Sequence, residues 1–230
     1  MYITRLLKTI LSGDCKCYFG QWAEDVLVRR LFPGKKTSGI YLDIGAYHPF
    51  KYSNTAYLWL KGWHGVNVDA NPKTIALFNK IRKSDINLCA AVITEEECKT
   101  IKEIDLSLPS KKDGKHGLSA IATCCPHVAL ERSFKEHVKI PTLSINKIVS
   151  ENKLFNIDYL NIDIEGYDER IIKDFDFSIV KPKVISIEDY AGSMEAANTS
   201  DISNLLNSYG YNWLARVGLT SIFAINELGF

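Results

Sequence analysis

At 230 residues, with 46% hydrophobic and 24% charged residues, the chain has the make-up of an ordinary globular protein, which excludes disordered and fibrous classes. Lys and Arg total 28 against 27 Asp and Glu, and the resulting formal charge of +1 is too weak a field to make nucleic acid the partner. No apolar run approaches the ~20 residues that span a bilayer.

The six cysteines, Cys15, Cys17, Cys89, Cys98, Cys124 and Cys125, lack the C-x2-C spacing of a closed zinc site. Without a secretory leader they read as reduced thiols of a cytoplasmic protein. Ile3, Leu6, Leu7, Ile10 and Leu11 recur at helical spacing around Arg5 and Lys8. This predicts an amphipathic helix that docks on the domain or lies on a membrane surface. Residues 1–38 are therefore expected to form an N-terminal helical segment, and residues 39–230 the main domain.

Within that domain, residues 39–45 predict a short apolar strand closed by Gly45, and residues 53–60 a helix. A second strand is expected at 65–69. Asn71 as cap and Pro72 in the first turn then open a helix that runs to Arg82, and 86–92 predict a third strand. Near-continuous apolar strands separated by helices imply a parallel sheet covered on both faces. Residues 94–140 break the alternation: 98–107 suggest an extra strand and 108–117 a polar loop, together an insertion or lid. The pattern resumes with a helix at 143–149, a strand at 157–163, a helix at 168–173, a strand at 184–188 and a helix at 200–208. Strands at 211–217 and 221–225, joined at Gly218-Leu219, make an antiparallel hairpin. The fold class is α/β, a doubly wound Rossmann-like, mostly parallel sheet ending in that hairpin.

Ligands of such sheets bind beyond the carboxyl ends of the strands. There the sequence places Asp43-Ile-Gly-Ala-Tyr-His48, Asp69, and Asp163-Ile-Glu-Gly166. Asp69 closes its strand where an acid that accepts two hydrogen bonds from vicinal ribose hydroxyls belongs. The first turn has one glycine rather than G-x-G-x-x-G, so a pyrophosphate is poorly served. Asp43 would repel phosphate but suits the sulfonium and amino group of S-adenosylmethionine.

Tyr41-Leu-Asp-Ile-Gly-Ala46, Asn67-Val-Asp-Ala-Asn-Pro72 and Tyr159-Leu-Asn-Ile-Asp-Ile-Glu-Gly166 resemble the FkbM family of S-adenosylmethionine-dependent methyltransferases, as do Gly20-Gln-Trp-Ala-Glu-Asp25 and Ser53-Asn-Thr55. The resemblance implies a class I methyltransferase fold and O-methyl transfer to a sugar, nucleotide-linked sugar or glycan precursor, of capsule or other surface polysaccharide type. The expected cofactor contacts are Asp43, Gly45, Ala46, Tyr47, Ser53, Asn54, Asp69 and Ala70.

The expected catalytic residues are Asp163, Glu165, Glu188 and His48. Asp163, Glu188 and Asp189 form an oxygen-rich set that suits Mg²⁺ or Mn²⁺. A metal-free reading, with one carboxylate as general base, stands beside it. The Lys111-Lys112-Asp113-Gly114-Lys115 run reads as a solvated loop, with a substrate diphosphate as the other reading. Two rival functions stay open: a nicotinamide-dependent oxidoreductase, and a non-catalytic binding protein that keeps the fold.

Overall fold

A computed structural model describes residues 4–5, 8–9, 17–32, 38–108 and 136–226. Its main sheet has seven strands: β1 (Ile40–Ile44), β2 (His64–Asp69), β3 (Ile86–Cys89), β7 (Tyr159–Ile162), β8 (Val184–Glu188), β9 (Tyr211–Val217) and β10 (Thr220–Ile225). They lie in the order β3-β2-β1-β7-β8-β10-β9. The first five are parallel, and β10 runs antiparallel to both β8 and β9. The reversal of strand order between β1 and β7 opens a crevice at their carboxyl ends, where α/β sheets place their ligands.

In-register pairing segregates the two faces of the sheet. Ile44 opposes Val68 and Ile162, and Ile162 opposes Ile187. This apolar row packs on Ile145, Ile148, Ile171, Ile172 and Leu206 in the larger core. The other face carries a polar row, Asn87-Asn67-Asp43-Asn161-Ser186, one residue from each of five adjacent strands in register. A smaller core on this face, with Tyr41, Tyr159, Val28, Leu58 and Trp63, lies alongside that row.

The helices α1 (Glu24–Arg30), α2 (Ala56–Leu60) and α3 (Pro72–Ile81) precede β3. Helix α3 begins as its sequence predicts, with the Asn71 side chain accepting from the Lys73 N–H and Pro72 in the first turn. The stretch 86–92 is not one strand. Pairing with β2 ends at Cys89, and β4 (Ala91–Val92) joins β6 (Glu136–Leu143) in a second sheet of order β4-β6-β5.

The extra strand expected at 98–107 is a helix followed by a strand, α4 (Glu95–Thr100) and β5 (Glu103–Leu108). A capping box, in which Thr94 and Glu97 satisfy each other's backbone N–H, starts that helix. Residues 109–135, with the lysine run, lie outside the described residues, as do Cys15, Cys124 and Cys125. Of the N-terminal helix, Thr4, Arg5, Lys8 and Thr9 are described and helical, while its apolar residues lie outside the described set. Cys17, Cys89 and Cys98 are free thiols.

Helices α5 (Ile145–Glu151), α6 (Asp168–Asp174), α7 (Met194–Asn198) and α8 (Asp201–Ser208) complete the described chain. Helix α5 starts two residues later than expected, because β6 runs through Leu143 and Ser144 caps the helix. Among the described residues no helix is long and apolar enough to cross a membrane.

Candidate active site

A cavity of about 600 Å³ opens at the carboxyl ends of β1, β2, β7 and β8. All eight residues expected to contact the cofactor line it, as do Asp163, Glu165 and Glu188.

The floor is built by close backbone approach. Gly45 leaves β1 at φ 83, with its N–H and that of Ala46 donating to the Val68 carbonyl at 2.9 and 3.0 Å. A Cβ on Gly45 would sit 1.7 Å from the carbonyl oxygen of Asp163, so only glycine lets the β1 turn nest against the end of β7.

The acids of the site divide by burial and by what their oxygens already hold. Asp43 is 1% exposed and held from within: Oδ2 accepts from the Thr55 hydroxyl at 2.6 Å, and Oδ1 from Asn161 Nδ2 at 2.9 Å. Arg82, fully buried, donates to Thr55, Ser53 and the Pro49 carbonyl. Burial pushes the Asp43 carboxyl up, while Thr55, Arg82 and Asn161 pull against it. Asp69 accepts one backbone N–H on each oxygen, from Tyr47 at 2.9 Å and Asn71 at 2.7 Å. Each oxygen keeps a lone pair for a ligand. Burial raises the Asp69 carboxyl to about 6.

Asp163 is open to the cavity yet set deep in the low-dielectric mass of the protein. That setting, with Glu188, Asp168, Glu165 and Asp43 near it, drives its carboxyl well above the usual range. Glu188 is raised to about 7, chiefly by burial, although the Tyr190 hydroxyl donates to Oε2 at 2.6 Å. The Asp163–Gly166 turn is held by Asp168, whose oxygens accept from the Ile164 and Gly166 N–H groups at 3.0 and 2.9 Å. Glu165 and Gly166 take left-handed φ values of 57 and 98, which bends the chain so that both Asp163 and Glu165 face the cavity.

Two expectations are corrected. His48 does not line the cavity; its Nδ1 accepts from the Phe50 and Lys51 N–H groups, both at 3.0 Å, so the ring caps its own turn. Asp189 also turns away, Oδ1 accepting from the Ala191 N–H and Oδ2 from the Ser200 hydroxyl, both at 3.0 Å. Asp163, Glu188 and Asp189 therefore do not converge as a cation cage, and no group of three His, Cys, Asp or Glu among the described residues does.

Sequence reasoning missed Arg82, Asn161, Asp168 and Trp22. The signal for the first two was present, since polar Asp43, Asn67 and Asn161 midway along apolar strands demand buried partners.

No curated protein and no solved structure gives a match to the chain. The family model of the methyltransferase FkbM domain matches residues 43–212, from Asp43 on β1 to the start of the terminal hairpin. The chain therefore belongs to the FkbM methyltransferase family.

Proposed function

We propose that the protein is an S-adenosylmethionine-dependent O-methyltransferase of the cytoplasm, acting on a hydroxyl of a sugar or glycan precursor. The observation that carries this reading is the charge of the cavity. Glu24, Asp43, Asp69, Asp163, Glu165 and Glu188 line it, and no Lys, Arg or His does among the described residues. Such a wall suits a ligand with a sulfonium and an ammonium and repels the pyrophosphate of a dinucleotide. The nicotinamide alternative loses ground for the same reason.

The residues fit the cofactor. Asp69 would take the ribose hydroxyls on its remaining lone pairs, Gly45 and Ala46 would shape the floor beneath it, and Ala70, Ser53, Asn54 and Tyr47 would border it. When bound, S-adenosylmethionine supplies an electrophilic methyl group. The work left to the chain is to align the acceptor oxygen and take its proton.

Asp163 is the base best suited to that task. Its carboxylate accepts no hydrogen bond from any described residue, and its raised proton affinity makes it a stronger base than an ordinary carboxylate. Glu188, raised to about 7, stands at the end of the adjacent strand, where it would orient the acceptor or receive the proton next.

The test is mass spectrometry for a methyl increment after incubation with S-adenosylmethionine and a panel of sugars and glycan precursors, run on the parent and on Asp163→Asn. Methylation by the parent and its loss in the variant support the reading. An inert parent that still binds S-adenosylmethionine favours the non-catalytic alternative.

A further inference from the structure

One wall of the cavity is formed by Gln21, Trp22 and Glu24, of which the chemistry above leaves Trp22 unused. At one end, Gly20 packs on Asn54 beside the β1 turn: a Cβ there would lie 2.7 Å from Asn54 Oδ1 and 2.4 Å from Glu24 Oε2. The segment is tied down by buried acids. Phe19 and Gly20 donate their N–H groups to Asp25 at 3.2 Å, and Trp22 donates its own to Glu24 Oε2 at 2.9 Å. Ala23 takes a left-handed φ of 70 to complete the bend.

At the other end, Trp22 lies on the terminal hairpin. A Cβ on Gly218 would come within 2.5 Å of the indole, so the glycine is what allows this approach. The hairpin is fastened to the wall that carries Glu188: Thr220 opposes Glu188 in register, and the Asp189 N–H donates to the Leu219 carbonyl at 2.8 Å. Leu219 and Thr220 themselves line the cavity. The indole thus stands on the side of the proton-accepting residues, away from the Asp69 side. It lines the cavity and is still 58% exposed.

An exposed indole beside carboxylates, with no cation among the described lining residues, is a poor receptor for phosphate. It is a good one for a sugar ring, because the electron-rich indole face attracts polarised C–H groups and carboxylates accept hydroxyl hydrogens. Resting on the methyl-transfer reading, we infer that the acceptor is an uncharged pyranose, stacked by one C–H face on Trp22 with a hydroxyl turned to Asp163 and Glu188, rather than a nucleoside-diphosphate sugar.

The experiment uses the full chain saturated with S-adenosylhomocysteine, probed with methyl hexopyranosides and methyl deoxyhexopyranosides and with the matching nucleoside-diphosphate sugars. Saturation-transfer NMR should show the neutral glycosides bound, with transfer concentrated on the hydrogens of one ring face. Trp22→Ala should weaken them about tenfold, the scale of a lost aromatic stacking contact, and Trp22→Phe should restore most of the loss. S-adenosylhomocysteine affinity, measured by calorimetry, should be unchanged in both variants. Trp22→Leu keeps bulk against Gly218 without an aromatic face and carries the same comparison if Trp22→Ala does not fold. The inference is overturned if no neutral pyranoside binds the loaded protein, if diphosphate sugars bind more tightly, or if removing the aromatic face leaves glycoside binding at the parental level. Failure of the parent to bind S-adenosylhomocysteine would instead sink the cofactor reading, and this inference with it.

Discussion

Asp69→Asn is the sharpest test of the cofactor half of the site. Both Asp69 oxygens accept a backbone N–H, from Tyr47 and Asn71. An asparagine has one acceptor oxygen, so its amide nitrogen would face a backbone donor and one of those bonds is lost, along with the charge offered to the ribose hydroxyls. Charge-assisted hydrogen bonds contribute ~1.5–3 kcal/mol each. A loss of about 2 kcal/mol corresponds to a roughly 30-fold weaker cofactor.

The proton supplies a second reading of the same side chain. With its carboxyl raised to about 6, Asp69 is mostly ionised at pH 7 and mostly protonated at pH 5. Parental affinity should therefore fall about tenfold between pH 7 and 5, and the asparagine variant should lose most of that dependence. S-adenosylhomocysteine is the ligand to use in calorimetry, because it lacks the sulfonium that would also report the charges of Asp163 and Glu188. Unfolding cannot mimic the effect through Asp69. A carboxyl raised from 3.8 to about 6 contributes stability that is complete below pH 3.8 and lost as pH rises through 6, so acidification over this window favours the folded state at this residue. Equal affinity of variant and parent at pH 7, or a flat parental profile from pH 5 to 7, would refute the assignment.

Asp163→Asn keeps the side chain's shape and should leave S-adenosylhomocysteine binding intact while lowering turnover ~100-fold or more; parental turnover would exclude it as base. Because Glu188 is raised to about 7 and Asp163 is raised as well, turnover should fall as pH drops through 7, which a pH–rate profile checks against a flat outcome. Gly45→Ala combines a left-handed φ with a Cβ 1.7 Å from the Asp163 carbonyl, so the β1 and β7 ends must part and cofactor binding should be lost even where thermal unfolding still shows a folded protein. Arg82→Leu leaves Asp43 buried without its neighbouring cation and Thr55 and Ser53 without their donor, and should cost about 3–5 kcal/mol in denaturant unfolding; a change below 1 kcal/mol would show the network to be unimportant. Chelator treatment should leave turnover unchanged, since Asp189 is turned away from Asp163 and Glu188; a loss restored by Mg²⁺ or Mn²⁺ would refute that.

The repeating strand-helix units were legible because each strand of the parallel core is an apolar run ended by a residue with its own local demand: Gly45 after β1, Asp69 at the end of β2, Asp163 after β7. Side-chain direction in loops was not legible. His48 and Asp189 stand next to residues that do line the cavity, but each turns back on its own backbone, and spacing along the chain carries no record of that turn. The helix at Glu95–Thr100 escaped for a different reason. None of its residues is buried, so it has no apolar period to detect, and its one signal was the Thr94-x-x-Glu97 capping pair. Arg82 reads as the polar end of a helix; only the folded sheet brings it above Asp43 and Thr55.

The same polar row that supports the fold assigns the acids their separate work. Asp43 is sealed from solvent and held by Thr55 and Asn161, so its contribution to a ligand is charge and position. The bond to Asn161 also ties β1 to β7 two residues before Gly45 on one strand and two before Asp163 on the other, which fixes the cavity floor against the proton-accepting wall. Asp69 carries the same number of hydrogen bonds but is only half-buried, so its remaining lone pairs are open to a neutral diol. Asp163 holds no hydrogen bond among the described residues, and of the three it alone is left with both oxygens available in a setting that raises their affinity for a proton. Graded burial along one sheet edge, with hydrogen bonds on the first two acids and none from the described residues on the third, turns three chemically identical side chains into a scaffold, a binder and a base.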